Sequence, residues 1–351
     1  MIQVVRWLGL ALTGLQLTAC SSLSYYTQAL QGQWDIWQRS RPLAEVVNAA
    51  DTEPALKQKL LLIKKMRHFA SQKLHLPDND SYRWYADLQR PFVVWNVFAA
   101  PPFSMELKQW CFSFIGCFQY RGYFTKQAAE ALAESLRQQG YDVYVAGVVA
   151  YSTLGWFTDP VLNTMLTWPK LQLAGLIFHE LAHQQLYIPN DTAFNEAFAM
   201  VVEYEGIRRW LTQFATLATQ QHYQRQRQQQ QAVVDLILAT RQRLQHLYQH
   251  ALSKENKQQQ KNLIFKQLYE HYQQHYHDDD FAHWFQTLGT NNAQLLSVVT
   301  YQAYVPALQA LLSRYQPDLK AFYAAARQLA DLPEQQRHTR LQQLEAQALE
   351  P

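Results

Sequence analysis

Apolar side chains at Leu56, Leu60, Ile63, Met66, Phe69 and Leu74 recur every three or four residues, which predicts a helix over Glu53 to Leu74 with Asp51 and Thr52 as candidate caps. The run RPFVVWNVFAAPPF, rich in valine and aromatics and bounded by prolines, predicts a strand. A helix follows in TKQAAEALAESLRQQG, closed by Gly140, and YDVYVAGVVAYSTLGWF then reads as one or two strands meeting near Gly147. LAGLIFHELAH is an apolar helix broken at Pro189 and Asn190, after which Asp191 or Thr192 caps another.

Beyond Gly206 the pattern changes. From Trp210 to about His277 the chain is glutamine-rich, yet Val233, Val234, Ile237, Leu238, Leu244, Leu247 and Tyr248 keep a helical stripe, so long helices with a wet glutamine face are expected. HDDDFAHWF marks a break, and the helical section after it is interrupted near Pro306. The charged end from Glu334 is expected to fray. These readings give an α+β, predominantly helical protein: a small mixed sheet packed on the helix bearing His179, then a long-helix carboxyl-terminal region. The expected divisions are a leader over 1–19, an amino-terminal segment over 20–50, a core over 51–206, glutamine-rich helices over 207–290, and a helical region over 291–351 completing the site cleft.

Composition narrows the class. With 351 residues, 48% of them hydrophobic, the chain has a large interior to fill. Its 31 basic and 28 acidic residues nearly cancel, and no long Lys/Arg run appears, so nucleic acid is not an expected partner.

The amino end has the layout of an export signal: Arg6, an apolar run from Trp7 to Leu15, then small residues. That run is too short for a permanent membrane span. Leu17, Thr18, Ala19 and Cys20 resemble the bacterial lipoprotein box, which implies a lipidated Cys20, a membrane attachment and a place in the cell envelope facing the periplasm. On that resemblance Ser21 favours the outer membrane; the alternative is a soluble secreted protein. In an oxidising compartment Cys111 and Cys117, with Gly116 able to turn the chain between them, are disulfide candidates. Zinc binding by this pair would need further ligands, and none is evident nearby.

His179 and His183 are four apart on a predicted helix, so both imidazoles face one side and can share an ion. Zinc accepts neutral imidazole in tetrahedral geometry, and a catalytic zinc keeps one position for water, beside which Glu180 would act as base. In a helix this apolar, two histidines and a glutamate are costly to bury unless a metal or hydrogen bonds satisfy them. The third ligand expected is Glu196, in the first turns of the next helix, with Asn195 beside it and Glu203 seven residues on as a partner for a ligand.

FHELAHQ followed by FNEAFA resembles the glutamate-liganded, thermolysin-like zinc peptidases. With Cys20, SSLSYYTQALQG, YRGYF and AYSTLGWFTDPVL, the chain more closely resembles a proteobacterial lipoprotein family described as putative aminopeptidases, from Cys20 to LLSVVTYQAYVPAL. The resemblance implies hydrolysis of a peptide or protein substrate, zinc on His179, His183 and Glu196, and Glu180 as general base. It departs from the thermolysin-like pattern at Met200, where those enzymes often carry an aspartate that orients a zinc histidine. Such sites also use an oxyanion donor, for which Tyr301 and Tyr151 are candidates, and an edge strand that holds substrate, for which Ser152, Thr153, Leu154 and Gly155 are candidates. Arg121, set among aromatics in YRGYF, reads as a stacking residue.

Two other functions compete: a non-catalytic envelope lipoprotein with a structural metal site and a helical partner-binding region, and a metal-dependent amidase acting on the cell wall. An intact Glu180 argues against the first, because a structural site has no use for a base.

Overall fold

The computed structural model describes residues 25–112, 116–150, 152–153, 157–276, 281–286 and 290–349. Met1 to Ser24, with Cys20 and the stretch expected to be a leader, lie outside them, as do Tyr151, Leu154 and Gly155. Helix α1 covers residues 25–39 and runs into β1 (Ser40–Pro42), α2 (Leu43–Asn48) and α3 (Pro54–Leu74). Strands β2 (Trp84–Ala86), β3 (Val94–Ala100), β4 (Trp110–Phe112), β5 (Gly116–Phe118) and β6 (Arg121–Tyr123) precede α4 (Lys126–Gln138). After β7 (Asp142–Val148) and β8 (Val161–Leu162) come α5 (Lys170–Gln185) and α6 (Thr192–Phe214). The rest is helical: α7 (Leu217–Gln249), α8 (Lys254–His275), α9 (Ala282–Gln286), α10 (Asn292–Gln302), α11 (Val305–Tyr315), α12 (Leu319–Ala330) and α13 (Glu334–Leu349). The fold is α+β and predominantly helical, as the hydrophobic pattern predicts.

Strand β3 forms the centre of an antiparallel sheet ordered β6-β3-β7, and its side chains divide by the two-residue period. Trp95, Val97 and Ala99 pack on Ala129, Ala133 and Leu136 of α4, while Phe98 and Ala100 face the long helices through Val233, Ile237, Leu244 and Phe265. The mixed pairing lies in the smaller sheet β1-β2-β8, where β2 meets β1 antiparallel and β8 parallel. That sheet shares the largest core with α3, α5 and α6, in which Phe178, Phe194 and Phe198 are fully buried. Each such ring contributes about 1.5–3 kcal/mol of transfer free energy, enough to fix how α5 and α6 lie together.

Four expectations are corrected. Asp51 and Thr52 do not cap α3; Pro54 starts it, and Thr52 Oγ1 donates to Val46 O at 2.6 Å instead. Gly206 is no boundary, because α6 runs through it: a Cβ there would meet Phe178 and Leu74, so the glycine lets α6 press against α5 and α3. The end from Glu334 is packed rather than frayed, with Leu341 and Leu344 in the main core and Arg337 at 2.7 Å from Asp191. Residues 152–153 are not strand, and β7 ends at Val148.

Candidate metal centre

Helix α5 buries Leu173, Ala174, Ile177, Phe178, Leu181 and Ala182 on its inward side, which carries His179 and His183 to the seam with α6. The chain leaves α5 through an extended stretch and turns at Asn190, whose φ of 67° is left-handed. Asp191 then caps α6, accepting from Phe194 N at 3.1 Å. Asn195, expected beside a ligand, works on this turn: its Oδ1 accepts from Ile188 N at 2.8 Å and its Nδ2 donates to Ile188 O at 2.7 Å. The short amide can reach both backbone groups of the turn, so the link between the two helices is rigid. Arg327 of α12 donates to Gln185 O at 2.8 Å, satisfying a carbonyl at the end of α5.

The geometry brings three expected ligands together. His179 Nε2 and His183 Nε2 are 3.2 Å apart, and Glu196 Oε2 lies 3.3 Å from the first and 3.7 Å from the second. A tetrahedral zinc with bonds of about 2.0–2.1 Å has ligand edges of about 3.3 Å, so the triangle has the size such an ion requires. Glu196 Oε2 is buried, and the polar atoms set against it are the two imidazole nitrogens, a costly place for a carboxylate oxygen unless a positive charge lies there, on the imidazoles or on an ion. Burial pushes the Glu196 carboxyl up, but the charges of His183 and His179 outweigh this and hold its pKa down at about 2, so it is ionised and ready to ligate.

His179 has a second partner. Glu203 Oε2, one heptad beyond Glu196, sits 3.1 Å from His179 Nδ1 and accepts from it, so Nδ1 keeps a hydrogen and Nε2 is the nitrogen that can turn a lone pair to the cluster once its own proton is lost. Burial opposes charge on His179, but hydrogen bonds to Glu196 and Glu203 more than offset it and raise its pKa well above the ordinary value. A metal must therefore displace a proton to bind. His183 Nδ1 is buried without a partner among the described residues, so the ring's polar contacts are those of its Nε2, with His179 and Glu196.

Glu180 is raised in pKa, chiefly by burial, with the histidines on either side lowering it and Glu196 and Asp159 raising it. Two neighbours of this base were not foreseen. Tyr82 is buried, with a φ of 64°, and its phenol is held neutral first by burial and then by the charges of Glu180 and Asp159. Asp159 is buried without an ion-pair partner among the described residues; burial raises its pKa, and it accepts from Ser152 Oγ at 3.2 Å, Thr153 N at 3.1 Å, Thr153 Oγ1 at 2.7 Å and Gln184 Nε2 at 3.3 Å. The polar groups of Ser152 and Thr153 expected to hold substrate are therefore engaged within the protein. Gln184, next to His183, also donates to Ser81 Oγ and accepts from Asn79 Nδ2 at 2.7 Å. The loop carrying Asn79, Ser81 and Tyr82 is in turn gripped by buried Arg67, which donates to Pro77 O, Asn79 O and Ser81 O at 2.8–3.0 Å.

Of the remaining candidates, Tyr301 lies in α10 but its side chain is outside what is described. Cys111 and Cys117 are joined as a disulfide across the β4–β5 hairpin, and Cys117 N donates to Asn190 Oδ1 at 3.0 Å, seating the hairpin on the α5–α6 turn. Arg121 stacks over Tyr25 at 4.3 Å from the ring centroid. Gly175 was not singled out from the sequence: a Cβ there would meet Glu203 Oε1 at 2.8 Å, so the glycine makes room for the carboxylate on His179. Asp159 and Tyr82 carried no signal, because they act across 20 to 100 residues of chain.

Fold and site together define a helical α+β protein with a His-Glu-x-x-His helix and a carboxylate from the next helix completing a three-donor cluster. Residues 24–341 match the family described as Putative aminopeptidase, and the chain belongs to it. No curated protein and no solved structure matches the chain.

Proposed function

We propose that the protein is a zinc-dependent peptidase, an aminopeptidase as its family's description suggests, lipid-anchored through Cys20 in the bacterial cell envelope. The observation that carries the reading is the triangle of His179 Nε2, His183 Nε2 and Glu196 Oε2, three buried or half-buried donor atoms with edges of 3.2–3.7 Å. These atoms would hold the ion, and Glu203 on His179 Nδ1 fixes the tautomer that ligation needs. Zinc, when bound, supplies Lewis-acid activation of a water and of the scissile carbonyl. Glu180 takes the proton of the attacking water at its carboxylate and passes it to the leaving amine. The same desolvation that raises its pKa makes Glu180 a stronger base than an exposed carboxylate. Tyr82, kept as a neutral O–H beside Glu180, offers a donor for charge developing on the carbonyl oxygen.

The test is metal content and peptide hydrolysis, wild type beside Glu180→Gln. Zinc near one per chain in both proteins, with cleavage of a peptide library by the wild type alone, is the expected result. Zinc in both with cleavage by neither would leave a structural metal site in its place, and zinc well below one per chain would remove the reading altogether.

A further inference from the structure

Helix α1 has two unlike faces. Its inner face is docked: Ile36 is buried, a Cβ on Gly32 would run into the Phe124 ring, and Gln28 accepts from Phe124 N at 3.1 Å. Its outer face carries Leu30, Trp34 and Trp37, at the i, i+4, i+7 spacing that forms one stripe, and they are 72%, 58% and 40% exposed. Phe157, 47% exposed, extends the stripe, its ring centroid 4.8 Å from that of Trp37. Single exposed apolar side chains are ordinary, but four neighbours including two tryptophans mark a surface that meets something less polar than water.

We infer that this stripe docks the protein on a lipid bilayer, with the tryptophans at headgroup depth. Tryptophan is favoured there because one part of its ring system is apolar and its N–H stays wet. The chain itself argues for the bilayer. Cys20 stands five residues before residue 25, a span of at most about 17 Å when extended, so a lipid on Cys20 would hold α1 against the membrane surface. That step rests on the anchoring proposed above; the stripe does not. The charge is compatible too. Asp35, the acidic residue on α1, is paired with Arg39 at 2.6 Å and Arg90 at 3.8 Å, so its charge is offset where the helix would meet anionic headgroups. Docking would also bring to the membrane Phe157 and Thr153, which Asp159 holds and which bonds to the Phe157 backbone.

The experiment places spin labels at Leu30→Cys, Trp34→Cys and, on the glutamine face of α7, Gln229→Cys in the full chain bound to phosphatidylethanolamine/phosphatidylglycerol vesicles. Collision with oxygen is compared with collision with a water-soluble nickel complex, and the intact mass reports lipid on Cys20. Where Cys20 carries no lipid, the labelling is done on the Cys20→Ser background. Labels at 30 and 34 are expected to lose nickel collisions and gain oxygen collisions on vesicles, while the label at 229 does neither. Labels at 30 and 34 that behave as the one at 229 overturn the docking while leaving the anchor to be judged by the mass, as does a chain that never joins the vesicles. Shielding already complete before vesicles are added would put a protein surface, not lipid, on the stripe, and also overturns it.

Discussion

Glu203 Oε2 lies 3.1 Å from His179 Nδ1, and the carboxylate fits there because residue 175, one turn before His179, has no side chain. Gly175→Ala is therefore expected to displace Glu203, through contacts of 2.8 Å with its Oε1 and 2.9 Å with Ile207 Cδ1. Alanine gains about 1 kcal/mol of helix propensity, which partly offsets the crowding, so the fold survives. Zinc affinity should fall about 10–100-fold, as it should in Glu203→Gln, measured by competition with a chromophoric chelator. Unchanged affinity in both variants would mean that Glu203 does not serve the ligand.

Zinc should also stabilise the protein through the α5–α6 seam. At a free concentration of 100 times its dissociation constant the gain is about 2.7 kcal/mol, readable as a rise in Tm that chelator reverses. Glu196→Ala should abolish that rise without preventing folding, because Phe178, Phe194 and Phe198 hold the helices together independently. A rise that persists in Glu196→Ala would place the ion elsewhere.

Arg337 and Asp191 form an ion pair in which both partners are buried, at the N-cap of α6. Arg337→Ala leaves that carboxylate with His338 at 3.0 Å as its remaining ion-pair partner, and should cost about 3–5 kcal/mol in urea unfolding. Loss of less than about 1 kcal/mol would show that α13 is not needed to hold the start of α6.

Glu205 is buried; burial raises its pKa, and bonds from Arg208 and Arg209 more than compensate, so its native value is lowered. A group depressed on folding contributes stability above its unfolded value, ordinarily 4.5, and loses it as the pH falls through the native one. Glu205→Gln should be less stable near neutrality by about 1–3 kcal/mol and show a flatter loss below pH 4.5, followed by denaturant midpoint against pH. Parallel acid limbs in the two proteins would contradict the assignment.

Arg67 bridges three backbone carbonyls of the loop that leads to Tyr82, the donor proposed for the carbonyl oxygen. Arg67→Lys keeps the charge but not the planar fork, so peptide hydrolysis should drop through kcat while zinc content is unchanged. A change in zinc content with kcat intact would reverse the roles given to this loop.

Local chemistry made much of this protein legible from sequence alone. The three- and four-residue period of α3 and of the stripe on α7, the valine run of β3, and the break at Pro189 and Asn190 each report on neighbours within a few turns, and the structure follows them. The three-donor cluster was legible for the same reason: His179 and His183 share a helix face by periodicity, and Glu196 and Glu203 follow on the next helix after a short turn. Asn195 was noticed but its work was not, because its partner is the backbone of the turn itself. What tertiary structure alone decided are relationships between distant segments. The Asp159 hub joins Ser81, Thr153 and Gln184, Arg67 shapes the loop below it, and α13 returns to Asp191. Side-chain periodicity carries information along one element; which carboxylate is buried, and what donates to it, depends on how separate elements pack, and that is set only when the cores close.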